Sequence, residues 1–207
     1  MKHTRLTREQ SREQTRERLF DAAQAMFIKK GFIGASVEDI ALAAGYTRGA
    51  FYSNFAGKAE LFVELLRRDH ETMQAGLRAI FDSPAPRDEM EARVLAYYSS
   101  SVPRDEQASV LWTEAKLLAT RDADFAKRFN AFMKEKHQEL KAYIEEFSAR
   151  VGTPLPMDAE LLVLGLIALC DGAQLLATAD PQRVTVPLVE QMLAGFFSRV
   201  VFGRDPS

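Results

Sequence analysis

Between Tyr46 and Lys58 the chain reads YTRGAFYSNFAGK, and Thr47, Arg48, Tyr52, Asn54 and Lys58 bring hydroxyl, guanidinium, amide and ammonium donors into this short stretch. Such donors suit a polyanion. The guanidinium fork of Arg48 matches the O6 and N7 acceptors of guanine, a pairing worth ~1–3 kcal/mol of discrimination. It can equally hold a phosphate, because at least half of protein–DNA hydrogen bonds go to the backbone. Gly49 keeps the main chain clear for close approach. Catalytic chemistry has no comparable constellation. His3, His70 and His137 are scattered, no pair has metal-ligand spacing, no nucleophile elbow or phosphate-cradling loop occurs, and Glu145-Glu146 reads as a solvated helix face. No catalytic residue, metal or cofactor is therefore expected.

These donors need short helices to present them. Leu19, Ala22, Ala23, Met26 and Phe27 recur at helical spacing and place a first helix over about 12–30, with Lys29 and Lys30 in its last turn and Gly31 as a left-handed cap. Ser36 with Glu38 and Asp39 behind it is a helix start, and Ile40, Ala41 and Ala44 give the second helix its apolar face. Gly45 supplies the positive φ of a tight turn, and Thr47 caps a third helix. Phe51 and Phe55 face inward there, while Arg48, Tyr52 and Asn54 lie on the other side. Two short helices joined by such a turn make a helix-turn-helix.

The segment TRERLFDAAQAMFIKKGFIGASVEDIALAAGYTRGAFYSNFAGKAELF, residues 15–62, resembles the N-terminal domain of TetR/AcrR-family transcriptional regulators. The likeness lies in the first-helix pattern, the Gly-Phe after it, Ser-Val-x-x-Ile-Ala, the Ala-Gly-Tyr turn, Gly-Ala-Phe-Tyr-x-x-Phe and Lys-x-x-Leu-Phe. It covers about a quarter of the chain. The resemblance implies that Thr47 and Arg48 face base edges, that Tyr52 and Lys58 contact the DNA backbone, and that Ser36 points its hydroxyl and N–H at a phosphate. Asn54 stands where relatives often have His, so its contact is open. Tyr52 packing on the first helix is the plainer alternative.

Charge follows the same division. Residues 1–58 hold ten Lys/Arg against six Asp/Glu, and the remainder holds 17 against 23, although the whole chain is only −2. A basic first quarter on an acidic body fits a polyanion met by that quarter alone. The extension 1–14 is either an arm reaching DNA or the solvated start of the first helix, laced by i,i+4 pairs. The single Cys170 excludes an internal disulfide and reads as a buried thiol. The charged N-terminus shows no secretory signal, and the apolar run LLVLGLIALC, 161–170, is too short for a bilayer, where roughly 20 residues are needed. A cytoplasmic protein without a membrane partner is expected.

Beyond a fourth helix from 57/58 to about 81, broken by Pro84-Ala85-Pro86, helical patterns fall at 87–101, 108–120, 123–151, 158–179 and 186–202. The expected fold is all-α, with about nine helices: a helix-turn-helix domain over 1–62 and a helical-bundle domain over 63–207 for effector binding and dimerisation. The resemblance implies a homodimer through the last two helices, with Leu162, Leu166, Leu188, Met192, Phe196 and Val200 at the interface. It also implies a pocket among the middle helices, where Tyr97, Tyr98, Trp112, Phe129 and Met133 supply apolar surface and Glu114, Asp171 and Gln174 orient a ligand. The resulting expectation is a repressor that binds a near-palindromic double-stranded operator and is released by a small lipophilic effector. The rival is an all-α protein-interaction module, which leaves Thr47, Arg48, Tyr52 and Lys58 without a task.

Overall fold

The computed structural model describes residues 7–83, 85–101 and 106–204. Lys2, His3, Arg5 and Pro84 lie outside them. The described residues contain nine α-helices and no strand: α1 Arg8–Gly34, α2 Val37–Ala43, α3 Arg48–Tyr52, α4 Lys58–Asp82, α5 Arg87–Ser101, α6 Glu106–Ala119, α7 Ala123–Val151, α8 Ala159–Ala179 and α9 Val186–Phe196. A π-helical turn, Phe197–Val201, follows α9.

α1 starts earlier than its apolar pattern indicates, because Thr7 and Gln10 form a capping box ahead of the hydrophobic stripe. The described part of the N-terminal extension is thus helix, not a free arm. Just beyond it, Arg16 and Glu17 of α1 pair with α4. Arg68 binds Glu17 at 2.7 Å, Arg16 binds Glu64, and the Arg16 guanidinium lies 4.5 Å from the Phe55 ring. At the other end Gly31 takes φ 70° and interrupts the helical backbone, so residues 32–34 form a separate last turn.

The chain packs as two compact units. The first comprises the described residues up to Arg68 together with Glu114–Phe129; the second comprises Asp69–Thr113 and Asn130 onward. A single cut at 62/63 does not describe this division, because 114–129 joins the first unit through an aromatic core. Phe62 lies 4.8 Å from Phe27 and 5.3 Å from Phe32, and Phe125 lies 5.8 Å from both Phe32 and Phe62. Phe20 meets Phe55 edge-on at 5.3 Å. Truncating a fully buried ring of this kind costs on the order of 3–5 kcal/mol.

The second unit centres on Leu162, Val163 and Leu166 of α8, which pack with Val189, Leu193 and Phe197 against Leu77, Phe81, Val94, Ile144 and Phe147. Its C-terminal end is fastened by ions. Arg87 reaches Glu91 at 2.6 Å and the Phe202 carbonyl at 2.7 Å, while Arg204 reaches the other oxygen of the buried Glu91 at 2.9 Å.

Two expectations for the dimer helices are corrected. Leu162 and Leu166 are only 1% and 2% exposed, so they belong to the subunit's own core and cannot face a partner. The outward face of α8 is the adjacent one, with Leu161 at 60% and Leu164 at 56%, then Leu175 and Leu176 further along. The second correction concerns length. Measured as a helix and not as an uninterrupted apolar run, α8 has 21 residues and a mean hydropathy of 1.9 over its most apolar window, enough to cross a membrane by length and composition.

Candidate nucleic-acid interface and ligand cavity

Local sequence builds the helix-turn-helix in three steps. Ser36 Oγ accepts from Asp39 N–H at 3.0 Å, and the Asp39 carboxylate accepts from Ser36 N–H at 3.2 Å and from Lys30 at 3.0 Å. Lys30 foremost, then Ser36, holds the Asp39 carboxyl below the ordinary carboxylate range. Next, Gly45 takes φ 77°, and Tyr46 N–H bonds the Ala41 carbonyl at 2.8 Å, which reverses the chain within a few residues. Thr47 then caps α3, its hydroxyl accepting from Ala50 N–H at 3.3 Å.

The resulting surface exposes Thr47, Arg48, Gly49 and Tyr52. Arg48 is held from two sides: Nη1 lies 2.6 Å from Glu38 Oε1, and the guanidinium carbon lies 5.4 Å from the Tyr52 ring centre. Its side chain is still 63% exposed, so the pair is a surface contact open to exchange. Sequence reasoning placed Glu38 only at the helix start and missed both its pairing with Arg48 and the outward-facing Leu42, 79% exposed. Neither residue type carries a spacing signal for such a role.

Three residues expected at this surface are engaged inside the unit. Lys58 Nζ donates to the carbonyls of Phe32 and Ala35, the latter at 2.7 Å, and stands 4.4 Å from the Phe32 ring. It satisfies the end of α1, where carbonyls lack helical partners. Burial pushes its pKa down, partly opposed by the Glu114 carboxylate. Asn54 donates its amide to the Ala50 carbonyl at 2.8 Å, and its Oδ1 is buried, so it closes α3. The N–H of Ser36 serves Asp39 and is not free for a phosphate.

The second unit contains a cavity of about 270 Å³. α4 contributes His70, Met73 and Leu77, α5 contributes Tyr97 and Tyr98, and α6 contributes Ala108 and Trp112. α7 adds Lys136, Leu140 and Tyr143, and α8 adds Ile167, Cys170, Asp171 and Gln174. Of the residues expected at a pocket, Tyr97, Tyr98, Trp112, Asp171 and Gln174 line it. Glu114, Phe129 and Met133 do not. Glu114 bonds the Phe32 N–H at 2.5 Å, and Phe129 stacks on Phe125 at 5.8 Å, both within the first unit. A carboxylate and a ring look alike in sequence whether they serve a cavity or a core, and only tertiary packing separates them.

Fold and site together define an all-α helix-turn-helix protein with a ligand-sized cavity in its helical bundle. Residues 19–65 match the model of the bacterial regulatory proteins of the tetR family, and residues 86–201 match the C-terminal model of the BetI-type transcriptional repressors. The chain belongs to the TetR family. Among curated relatives, the transcriptional regulator TtgR of Pseudomonas putida is 46% identical over 68 residues, 33% of this chain and 32% of that protein. The transcriptional repressor KstR2 of Mycobacterium tuberculosis is 30% identical over 131 residues, 63% of each chain. The alignments thus span about a third of the first relative's length and under two thirds of the second's. A solved regulator from Saccharomonospora viridis, in complex with choline, superposes with TM-score 0.70 over 89% of this chain and 96% of its own at 19% identity, a likeness of fold.

Proposed function

We propose that the protein is a cytoplasmic DNA-binding transcriptional repressor that grips a near-palindromic operator as a homodimer and lets go when a small lipophilic effector fills the cavity of the second unit. The observation that carries it is the exposed start of α3, where Thr47, Arg48 and Gly49 stand free of the core immediately after the Gly45 turn. In a helix-turn-helix this end of the second helix meets base edges in the major groove. Tyr52, one turn on, is exposed and suits a phosphate.

Dimerisation is supported by the outward face of α8. Leu161, Leu164, Gly165, Ala168, Gly172, Leu175 and Leu176 recur at three- and four-residue spacing, all apolar or Gly, and Leu188 and Met192 of α9 are exposed too. A monomer in water gains nothing from such a stripe, whereas a two-fold partner covers it with its own copy. Two subunits then offer α3 to half-sites about one helical turn apart, ~34–36 Å. Release requires an effector that favours a state in which that spacing is lost.

The test is selection of bound duplexes from a random pool by the full chain near physiological salt. An inverted repeat is the expected product; the absence of any enriched motif would favour a protein-interaction module instead.

A further inference from the structure

The cavity sorts its polar groups into those already engaged and those left over. The Asp69 carboxylate accepts the Trp112 indole N–H at 2.7 Å, and the Lys136 ammonium sits 4.5 Å from the Trp112 ring centre, on the seat an incoming cation would want. The Tyr97 hydroxyl donates to the Met73 carbonyl. His70 faces Glu139 across 3.4 Å, and burial foremost, with Lys136 adding to it, lowers its pKa so that the ring stays neutral near pH 7.

Three groups remain, and none is charged: the buried Nδ1 of His70, the Tyr98 hydroxyl and the Gln174 amide. The Tyr98 hydroxyl has no hydrogen-bond partner among the described residues; its ring is packed by Tyr97 and Phe197, and burial raises its pKa far above the ordinary phenol range. The Gln174 side-chain amide likewise has no partner among the described residues, only its backbone carbonyl being engaged, by Thr178 at 2.9 Å. Beside them, burial pushes the Cys170 thiol up to about 12, so it too stays neutral. The formal charges of the wall, Asp69 and Asp171 against Lys136, leave it net negative. An anion meets repulsion there, and a cation meets Lys136.

We propose that the cavity takes a small uncharged molecule with a ring-bearing apolar body and one polar group, which hydrogen-bonds the Tyr98 hydroxyl and the Gln174 amide. The volume, about 270 Å³, lies just below the usual range for drug-sized ligands and sets the body at one or two rings. Calling this molecule the effector rests on the repressor reading; its chemical class rests on the cavity alone.

Calorimetric titration of the full chain at pH 7 with 4-phenylphenol, biphenyl-4-carboxylate and biphenyl-4-yl-trimethylammonium separates the classes on one scaffold. The phenol binds, and the carboxylate and the ammonium bind at least about ten-fold more weakly, since a desolvated charge without a partner costs more than a neutral hydrogen bond. Tyr98→Phe and Gln174→Leu, checked for unchanged melting, each weaken the phenol by up to about ten-fold. Ala108→Trp, which fills the cavity from α6, abolishes binding. Equal or tighter binding of either charged probe, no binding of the phenol, or indifference to both Tyr98→Phe and Gln174→Leu overturns the proposal. Operator retention, read in parallel, tests the other reading. Phenol that binds through Tyr98 yet leaves the operator complex intact upholds the ligand class and removes the effector role. Carboxylate that binds and releases operator does the reverse.

Discussion

Lys58 shows how one side chain can look like a DNA contact and act as a cap. Its ammonium holds the Phe32 and Ala35 carbonyls while Glu114, on a segment more than fifty residues away, holds the Phe32 N–H. Both ends of one peptide region are thereby served by charged groups. Lys58→Met is expected to lower stability by about 1.5–3 kcal/mol in urea unfolding, the range for hydrogen bonds to a charged donor. A lysine that served only phosphate would change DNA affinity and leave unfolding untouched. The environment at Gly31 belongs to the same small knot. An added Cβ would lie 2.9 Å from the Glu114 carboxylate, and the backbone there is left-handed besides. Spacing alone identifies the lysine and the glycine, but Glu114 reaches them only through tertiary packing, which is why it read as a pocket residue.

The helix-turn-helix depends on the turn more than on either helix, since α2 has seven residues and α3 five, far too short to persist alone. Gly45 at φ 77° has no atom within 4 Å of where a Cβ would stand, so a substitution there costs backbone strain and nothing else. Gly45→Val is expected to destabilise by about 1–2 kcal/mol, the cost of a left-handed backbone for an L-residue, and to weaken operator binding. Unchanged melting and unchanged binding would show that the turn relaxes freely. Elements of this kind were legible in the sequence because caps, glycines and apolar period agree with one another: the starts of α2 and α3 and the spans of α4, α5 and α7 fall where the residues place them. α8 was legible as a helix but not in its orientation. It is apolar on every side, so periodicity could not tell the core positions Leu162 and Leu166 from the outward Leu161 and Leu164. The division into units was hidden for a similar reason, because Phe125 and Phe129 carry no mark of which core they join.

At the scale of the whole molecule, the outward stripe of α8 and α9 is apolar surface that a single chain leaves uncovered. Leu164→Asp, which places a charge on that stripe at a residue 56% exposed, is expected to shift sedimentation from dimer to monomer with helicity unchanged. A variant that remains dimeric would place the interface elsewhere. Stability should also follow pH through the imidazoles of the buried His70 and the half-buried His137. Burial foremost lowers the pKa of both His70 and His137 in the folded chain, and Lys136 adds to each shift. Below the ordinary histidine value near 6.5 the unfolded chain therefore binds more protons than the folded one. The stability present above that pH is lost progressively as pH falls through the lowered folded values. Urea midpoints measured from pH 7.5 to pH 5 should decline, and His70→Gln should make the decline shallower; a flat profile would mean that both rings reach solvent. The first unit adds no titration of this kind in that pH range, since no histidine lies among the described residues up to Arg68.

The most direct test of DNA recognition concerns Arg48 and its carboxylate partner together. Affinity for a selected inverted-repeat duplex and for a scrambled duplex would be measured over a range of salt for the unaltered chain, Arg48→Ala and Glu38→Gln. A base-reading Arg48 predicts that Arg48→Ala loses ~1–3 kcal/mol on the selected duplex, with little change on the scrambled one. Glu38→Gln, which removes a negative charge beside Arg48, should tighten the scrambled duplex and narrow the ratio between the two. Equal losses on both duplexes for Arg48→Ala, with a salt slope reduced by about one, would contradict base readout and assign the guanidinium to a phosphate.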